Sequence, residues 1–279
     1  MVLILEDGGF MKELLEVCIL SAAQGVAEFL PVSSSGHLLV LGNWFGFDAE
    51  KNMLLNVILH AGTLLAIVVF YFKRILSILL DSSRRRLISL VIVGSIPAAA
   101  VGITLKALHW EEKLFSSPFV AALGFAVTGT MLLAVFRKKD EAPDAVAAEN
   151  MSYRQALWVG LAQAVAITPG ISRSGSTISC GVLAKLRKAD AAEFSFLLAI
   201  PAIGGAALLE VLDVVKSADK IAVSELLPVT VGFAVSAAVG YFSLACLIKL
   251  LKKGRLDCFA YYLFAAALIT AVVETLKLF

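Results

Sequence analysis

Residues 23–37 read AQGVAEFLPVSSSGH, and residues 162–176 read AQAVAITPGISRSGS. Shifted by 139 positions the two align without a gap: Gln24 falls on Gln163, Val26 on Val165, Ala27 on Ala166, Ser33 on Ser172, Ser35 on Ser174 and Gly36 on Gly175. The shift is about half of the 279-residue chain, which marks an internal repeat. In membrane proteins built from repeats, the site lies where the repeats meet, at broken helices. Each copy adds chemistry of its own: Glu28 and His37 in the first, Arg173 and the following Thr177 in the second.

Outside these patches the chain is oily. It is 59% hydrophobic and 16% charged, with a mean hydropathy of +0.89. A soluble domain is nearer half apolar and a quarter charged, so this is an integral membrane protein. Runs such as 54–72 and 87–105 suit spans of ~20 residues. They lack strand-like alternation, which selects helices over a barrel. The net charge of +2 gives no reason to expect a nucleic-acid partner. The start, MVLILEDGGFMKE, has no basic n-region and carries acids early, so no signal peptide is expected. Cys18, Cys180, Cys246 and Cys258 have no CxxC spacing and read as apolar helix residues.

Six apolar spans are expected, at 53–72, 87–108, 118–136, 194–215, 227–250 and 258–278. Two more apolar stretches, 14–43 and 155–184, contain the repeated motifs, and Pro31 and Pro169 disfavour a continuous helix through either. Broken backbone at membrane depth is tolerated only inside protein or beside a wet cavity, so both read as re-entrant hairpins. Loop charge fits this reading. Four basic groups (Lys73, Arg74 and Arg84–Arg86; Arg137, Lys138, Lys139 and Arg154; Lys185, Arg187 and Lys188; Lys252, Lys253 and Arg255) fall on one side if 155–184 enters and leaves from that side. Lys51, Lys113 and Lys216 then lie outside with both termini. The expected fold is all-α and polytopic. It has six transmembrane helices and two re-entrant hairpins in an inverted-topology repeat, residues 1–139 and 151–279, joined by a cytoplasmic linker at 140–150.

Gln24 and Glu28 are spaced i, i+4 and share a helix face. A carboxylate at membrane depth is costly and marks function, unless a serine or arginine simply satisfies it. Pro31-Val-Ser-Ser-Ser-Gly-His37 offers hydroxyls, a close-approach glycine and an imidazole to a phosphate; the bland alternative is an N-cap cluster with a structural histidine. Arg173 needs an anion, and its planar fork matches phosphate; the alternative is an internal salt bridge to Glu28. Ser172, Ser174, Ser176 and Thr177 surround it with donors. Glu193 either lines the site or sits at the cytoplasmic edge. His60 and Asn56, also i, i+4, are equally balanced between structure and function, and His109 beside Trp110 reads as interfacial. A carboxylate, a histidine, hydroxyls and an arginine together suit phosphoryl chemistry on an amphiphile.

At these residues the chain resembles the undecaprenyl-pyrophosphate phosphatase family, the bacitracin-resistance type. The family's first motif is (E/Q)xxxE followed by PVSSxGH, here Gln24-Gly-Val-Ala-Glu28 and Pro31-Val-Ser-Ser-Ser-Gly-His37. Its second is PGxSRSxxT, here Pro169-Gly-Ile-Ser-Arg-Ser-Gly-Ser-Thr177, and the likeness extends to EFSFLLAIP at 193–201. The resemblance implies hydrolysis of undecaprenyl diphosphate to undecaprenyl phosphate and inorganic phosphate, recycling the carrier lipid of cell-wall synthesis. It implies a bacterial plasma-membrane location with phosphate release on the periplasmic side, help from a divalent cation (Mg²⁺ or Ca²⁺), and a homodimer in many members. Many members carry Glu where this chain has Gln24, so a metal site here rests on Glu28, with Gln24, substrate and water. On this reading Arg173 clamps the diphosphate and Glu28 binds metal or acts as base. Ser34, hydrogen-bonded by His37, is the nucleophile, with His37 itself or an activated water as alternatives. Ser33, Ser35, Ser172, Ser174, Ser176 and Thr177 hold phosphate oxygens, and Gln24 orients water or the cation.

Two rivals come from other classes. Inverted repeats with broken helices are also a transporter design, so the first rival is a carrier that flips the lipid phosphate, with or without hydrolysis. The acid-phosphatase-like superfamily shares PSGH and SRx₅HxxxD fragments. Here its histidine and aspartate positions hold Ser179 and Leu183, and no Arg-Pro pair exists, which excludes it.

Overall fold

The computed structural model of the chain describes residues 7–45, 53–110, 116–137, 142–217 and 226–277. Lys51, Lys113, Lys138, Lys139 and linker residues 140–141 lie outside the described residues, as does the side chain of Lys216. The described residues form eleven α-helices: α1 (Asp7–Phe29), α2 (Ser34–Phe45), α3 (Met53–Phe70), α4 (Phe72–Leu80), α5 (Arg85–Ala107), α6 (Pro118–Phe136), α7 (Tyr153–Val165), α8 (Arg173–Leu183), α9 (Lys188–Ser217), α10 (Leu226–Lys252) and α11 (Cys258–Leu276). The protein is all-α and polytopic. Of these, α5, α6, α9, α10 and α11 are long and apolar enough to cross a bilayer, and α3 joins them if it is counted with α4. The six spans expected from the sequence fall on these helices. Leu65, Val69, Ile92, Ile96, Leu123, Val127, Phe242 and Leu268 face outward, as a lipid-facing belt requires.

Span 53–72 departs from expectation at its end, where the chain bends by 69° and continues as α4. Lys73 and Arg74 open α4, and two cations cannot continue along an apolar axis. The two motif stretches are broken as the prolines require. α1 and α2 part at 30–33, and α7 and α8 at 166–172. The turns are solved differently. The first puts a non-glycine, Ser33, in the left-handed region at φ 71°, whereas the second uses Gly170 at φ 85°. α2, α7 and α8 have 12, 13 and 11 residues, roughly half of a crossing, whereas α1 has 23.

Element order repeats with the shift seen in the sequence: α1, α2, α3, α5 and α6 recur as α7, α8, α9, α10 and α11. Packing then crosses between the halves. α1 lies on α10 and α7 lies on α5, while α6 meets α11 and α3 meets α9. Small residues allow these close crossings. A Cβ at Gly25 would run into Gly240 and Val239, and one at Gly160 into the Gly94 carbonyl. A buried core including Phe29, Phe125, Phe194 and Phe196 fills the centre, with Phe29 and Phe196 ring centroids 5.9 Å apart.

Two of the basic groups, 73–86 and 185–188, meet at one end, with the linker strapped between them. Val146 donates to the Lys185 carbonyl at 2.9 Å, and Arg187 donates back to the Val146 carbonyl at 3.0 Å. Arg74 donates to both Glu149 and Glu193 at 2.8 Å. Arg86 donates to the carbonyls of Glu149 and Met151 at 2.7 and 2.8 Å. Glu193 therefore belongs to this charged end and does not line the motif cavity. At the far end of α11, Glu274 accepts from Asn43, Trp44 and Lys277 and pins the end of α2.

Candidate active site

Both hairpin turns converge on one small cavity of about 40 Å³, room for roughly three waters. The first hairpin contributes Ala27, Glu28, Ser33, Ser34 and Ser35; the second contributes Ala166, Ile171, Ser172 and Arg173. Two helix starts lie at the cavity, since Ser34 opens α2 and Arg173 opens α8. Helix N-termini carry unpaired N–H groups and a positive dipole end, which favour anions.

Glu28, 8% exposed, is the hub. Its Oε1 accepts from Arg173 Nη2 at 2.7 Å, joining the two hairpins. Its Oε2 accepts from Gln24 Nε2 at 3.0 Å and from Ser34 Oγ at 2.8 Å. The i, i+4 spacing of Gln24 and Glu28 on α1 thus gives a direct contact. The Arg173–Glu28 salt bridge weighed from the sequence is present, yet it uses only part of the guanidinium. Arg173 Nη1 is buried without a partner among the described residues, and so is Gln24 Oε1. Buried polar atoms left unpaired are uncommon and call for a ligand or a cost.

Ser34 and His37 do not pair, contrary to the sequence expectation. Ser34 sits in the first turn of α2 and turns toward α1, where Glu28 accepts its proton. His37 turns the other way. Its Nδ1 donates to the Ser33 carbonyl at 2.8 Å, which leaves Nε2 to accept from the Tyr262 hydroxyl at 2.6 Å. The ring stacks on Tyr262 and lies against Phe125, with centroids 5.6 and 4.8 Å away. His37 is not among the residues lining the cavity.

The serines divide in a matched way. Ser33 Oγ accepts from Gly36 N at 3.3 Å, and Ser172 Oγ accepts from Gly175 N at 3.1 Å, so each caps its helix. Ser35 lies 3.4 Å from the Ser33 hydroxyl, and Ser174 lies 3.2 Å from that of Ser172. Ser33, Ser35 and Ser172 line the cavity, while Ser174 is turned toward the Leu30 carbonyl. Ser176 and Thr177 are buried away from it. Thr177 Oγ1 donates to the Arg173 carbonyl one turn back at 2.7 Å and meets Ser195 of α9 at 2.5 Å. A threonine bonded to its own i−4 carbonyl has turned along the helix instead of toward a ligand.

Thr128 of α6, not singled out in the sequence, holds the second turn in place. Its hydroxyl donates to the carbonyls of Gly124 and Gly170 at 2.9 and 3.1 Å and accepts from Ser172 N at 3.0 Å. A Cβ at Gly124 would strike the Pro169 carbonyl, so turn and helix are in direct contact. Thr128→Val keeps the shape but strands a buried N–H, which costs about 1–3 kcal/mol. A thermal-unfolding midpoint lowered by a few degrees is expected; an unchanged midpoint would mean that the turn is held by packing alone.

Comparison with known proteins agrees with the motifs. The family model described as Bacitracin resistance protein BacA matches residues 17–269. The chain belongs to the BacA family. Its relatives include a protein named undecaprenyl-diphosphatase from Rhodopirellula baltica, 41% identical over 95% of this chain and 99% of the relative. Another of that name, from Rubrobacter xylanophilus, is 40% identical over 94% of this chain and 99% of its own. A third, from Carboxydothermus hydrogenoformans, is 37% identical over 93% and 97%. Membership covers both hairpins and the helices that hold them, so the cavity lies within the part of the chain that the family shares.

Proposed function

We propose that this chain hydrolyses undecaprenyl diphosphate to undecaprenyl phosphate and inorganic phosphate, at the cavity between the hairpin turns. One observation carries the reading: a serine hydroxyl, a carboxylate that accepts its proton and a guanidinium with a free buried N–H meet in one pocket. The relatives' names supply the substrate. Ser34 Oγ attacks the terminal phosphorus while its proton passes to Glu28, and the bond to the undecaprenyl phosphate oxygen breaks. Water then cleaves the serine–phosphate bond and releases phosphate. Arg173 moves from Glu28 onto the phosphoryl oxygens, where its fork offsets the charge of the transition state. His37 and Tyr262 act on the backbone of the strained Ser33 turn and hold Ser34 in register.

The residues also fit a divalent cation. Among the described residues no cluster of three acidic, histidine or cysteine side chains occurs, so most ligands would come from substrate and water, as Mg²⁺ often accepts. Glu28 would hold the ion with Gln24, whose buried Oε1 has no other partner among the described residues. Bound there, it would neutralise phosphoryl charge.

The half-length helices α2, α7 and α8 support re-entrant hairpins, and the clustered basic loops support a cytoplasmic charged end. The first hairpin then opens to the outside of the plasma membrane. A cysteine placed at position 216 should label from outside and one at position 85 should not; the reverse pattern would invert this topology.

The deciding assay is phosphate release from undecaprenyl diphosphate by the purified protein in detergent, with Mg²⁺, with Ca²⁺ and with chelator. Release is expected. A folded protein that binds the lipid but releases nothing would be a lipid carrier instead.

A further inference from the structure

We propose that His60 of α3 is a nitrogen ligand of the divalent cation held by Glu28 and Gln24; this rests on the reading above that a cation binds at Glu28, the one of these three that lines the cavity. His60 Nδ1 faces the Asn56 carbonyl at 2.8 Å. A carbonyl only accepts, so Nδ1 carries a hydrogen, and the neutral ring then presents its lone pair at Nε2. A backbone carbonyl on the far nitrogen is the usual device that orients a metal-binding imidazole.

Nε2 lies 4.0 Å from Glu28 Oε2. That is too long for a hydrogen bond. Glu28 already has its cationic partner in Arg173. The neutral ring places a second electron-pair donor near the carboxylate. Two ligands that each stand about 2.1 Å from one ion lie no more than about 4.2 Å apart, a limit that this pair meets. Gln24 is the third donor. A half-turn of its amide exchanges Nε2 for the unpartnered Oε1 beside Glu28. The His60 side chain is 34% exposed, so it is not sealed in the core.

An imidazole shifts preference from Ca²⁺ and Mg²⁺ toward Mn²⁺, Co²⁺ and Zn²⁺. The test is Co²⁺ titration of the purified, chelator-stripped full-length protein, followed by the visible Co²⁺ spectrum, with Ca²⁺ competition. Wild type, His60→Gln, His60→Asn and Glu28→Gln are compared, and unfolding midpoints identify folded variants. In both His60 variants, Co²⁺ should bind about 10–100-fold more weakly, with a shifted spectrum and a reduced Co²⁺ over Ca²⁺ preference. If Glu28→Gln abolishes binding while a folded His60 variant keeps the wild-type affinity and spectrum, the proposal fails and the cation reading stands. If wild type binds no Co²⁺, both fail, and phosphate release in the presence of chelator still decides the phosphatase reading.

Discussion

Arg173→Ala should lower phosphate release by about 10³-fold, because one residue supplies both the clamp on the substrate and the offset to its developing charge. Arg173 is the only cation bonded to Glu28, and its buried Nη1 is the donor left for an incoming phosphate among the described residues. The fall should appear mainly in kcat/KM, since the fork meets substrate as well as transition state. Arg173→Lys keeps the charge but loses the planar pair of donors, so it should recover only part of the rate. Removing the guanidinium also leaves Glu28 buried with neutral donors alone, and breaking such a pair costs up to about 3–5 kcal/mol. The unfolding midpoint should therefore be recorded beside the rate. A stable Arg173→Ala protein with near-wild-type turnover would remove the residue from the chemistry.

Glu28→Gln has the next largest expected effect and separates two roles. The amide keeps the volume but cannot take the Ser34 proton, which should lower kcat by about 10²–10⁴-fold. Burst and steady-state phosphate release would place that loss in the chemical step, and KM should move less than kcat. Glu28→Asp keeps the charge while drawing the carboxylate away from Ser34 and Arg173, so it should lie between wild type and Gln. If Asp and Gln are equally inactive, distance matters as much as charge. If Gln retains activity, Ser34 loses its proton elsewhere and the base must be sought again.

The architecture is legible in the sequence because membrane physics leaves few choices. Apolar runs of span length become helices, and Pro31 and Pro169 sit in the breaks where the missing N–H is harmless. The pairing of Gln24 with Glu28 also follows from spacing alone. Side-chain direction does not. Ser34 and His37 are three residues apart, a spacing that suggests contact. The left-handed Ser33 sets where α2 begins, and its carbonyl then takes the His37 ring. Thr177 reads as a ligand from its place in the motif, yet in the fold its hydroxyl is satisfied one turn back. Thr128 and Tyr262 are invisible in one dimension. A threonine between Gly124 and Gly129 looks like small-residue packing, and an aromatic near the start of α11 looks like an interfacial anchor.

The crossed packing of the two halves sets a timetable for assembly. Gly25 of α1 leaves the ribosome early, yet its seat at Gly240 of α10 is encoded near the end of the chain. At ordinary elongation rates the first hairpin waits about 10–40 s for that surface. Glu28 also waits for Arg173 throughout the synthesis of the intervening residues. During that interval the nascent hairpin has only α3 and α6 of its own half to pack on, and its carboxylate lacks a cation, so it should stay near the bilayer surface. The pocket is then completed late, when the second half brings Arg173 to Glu28.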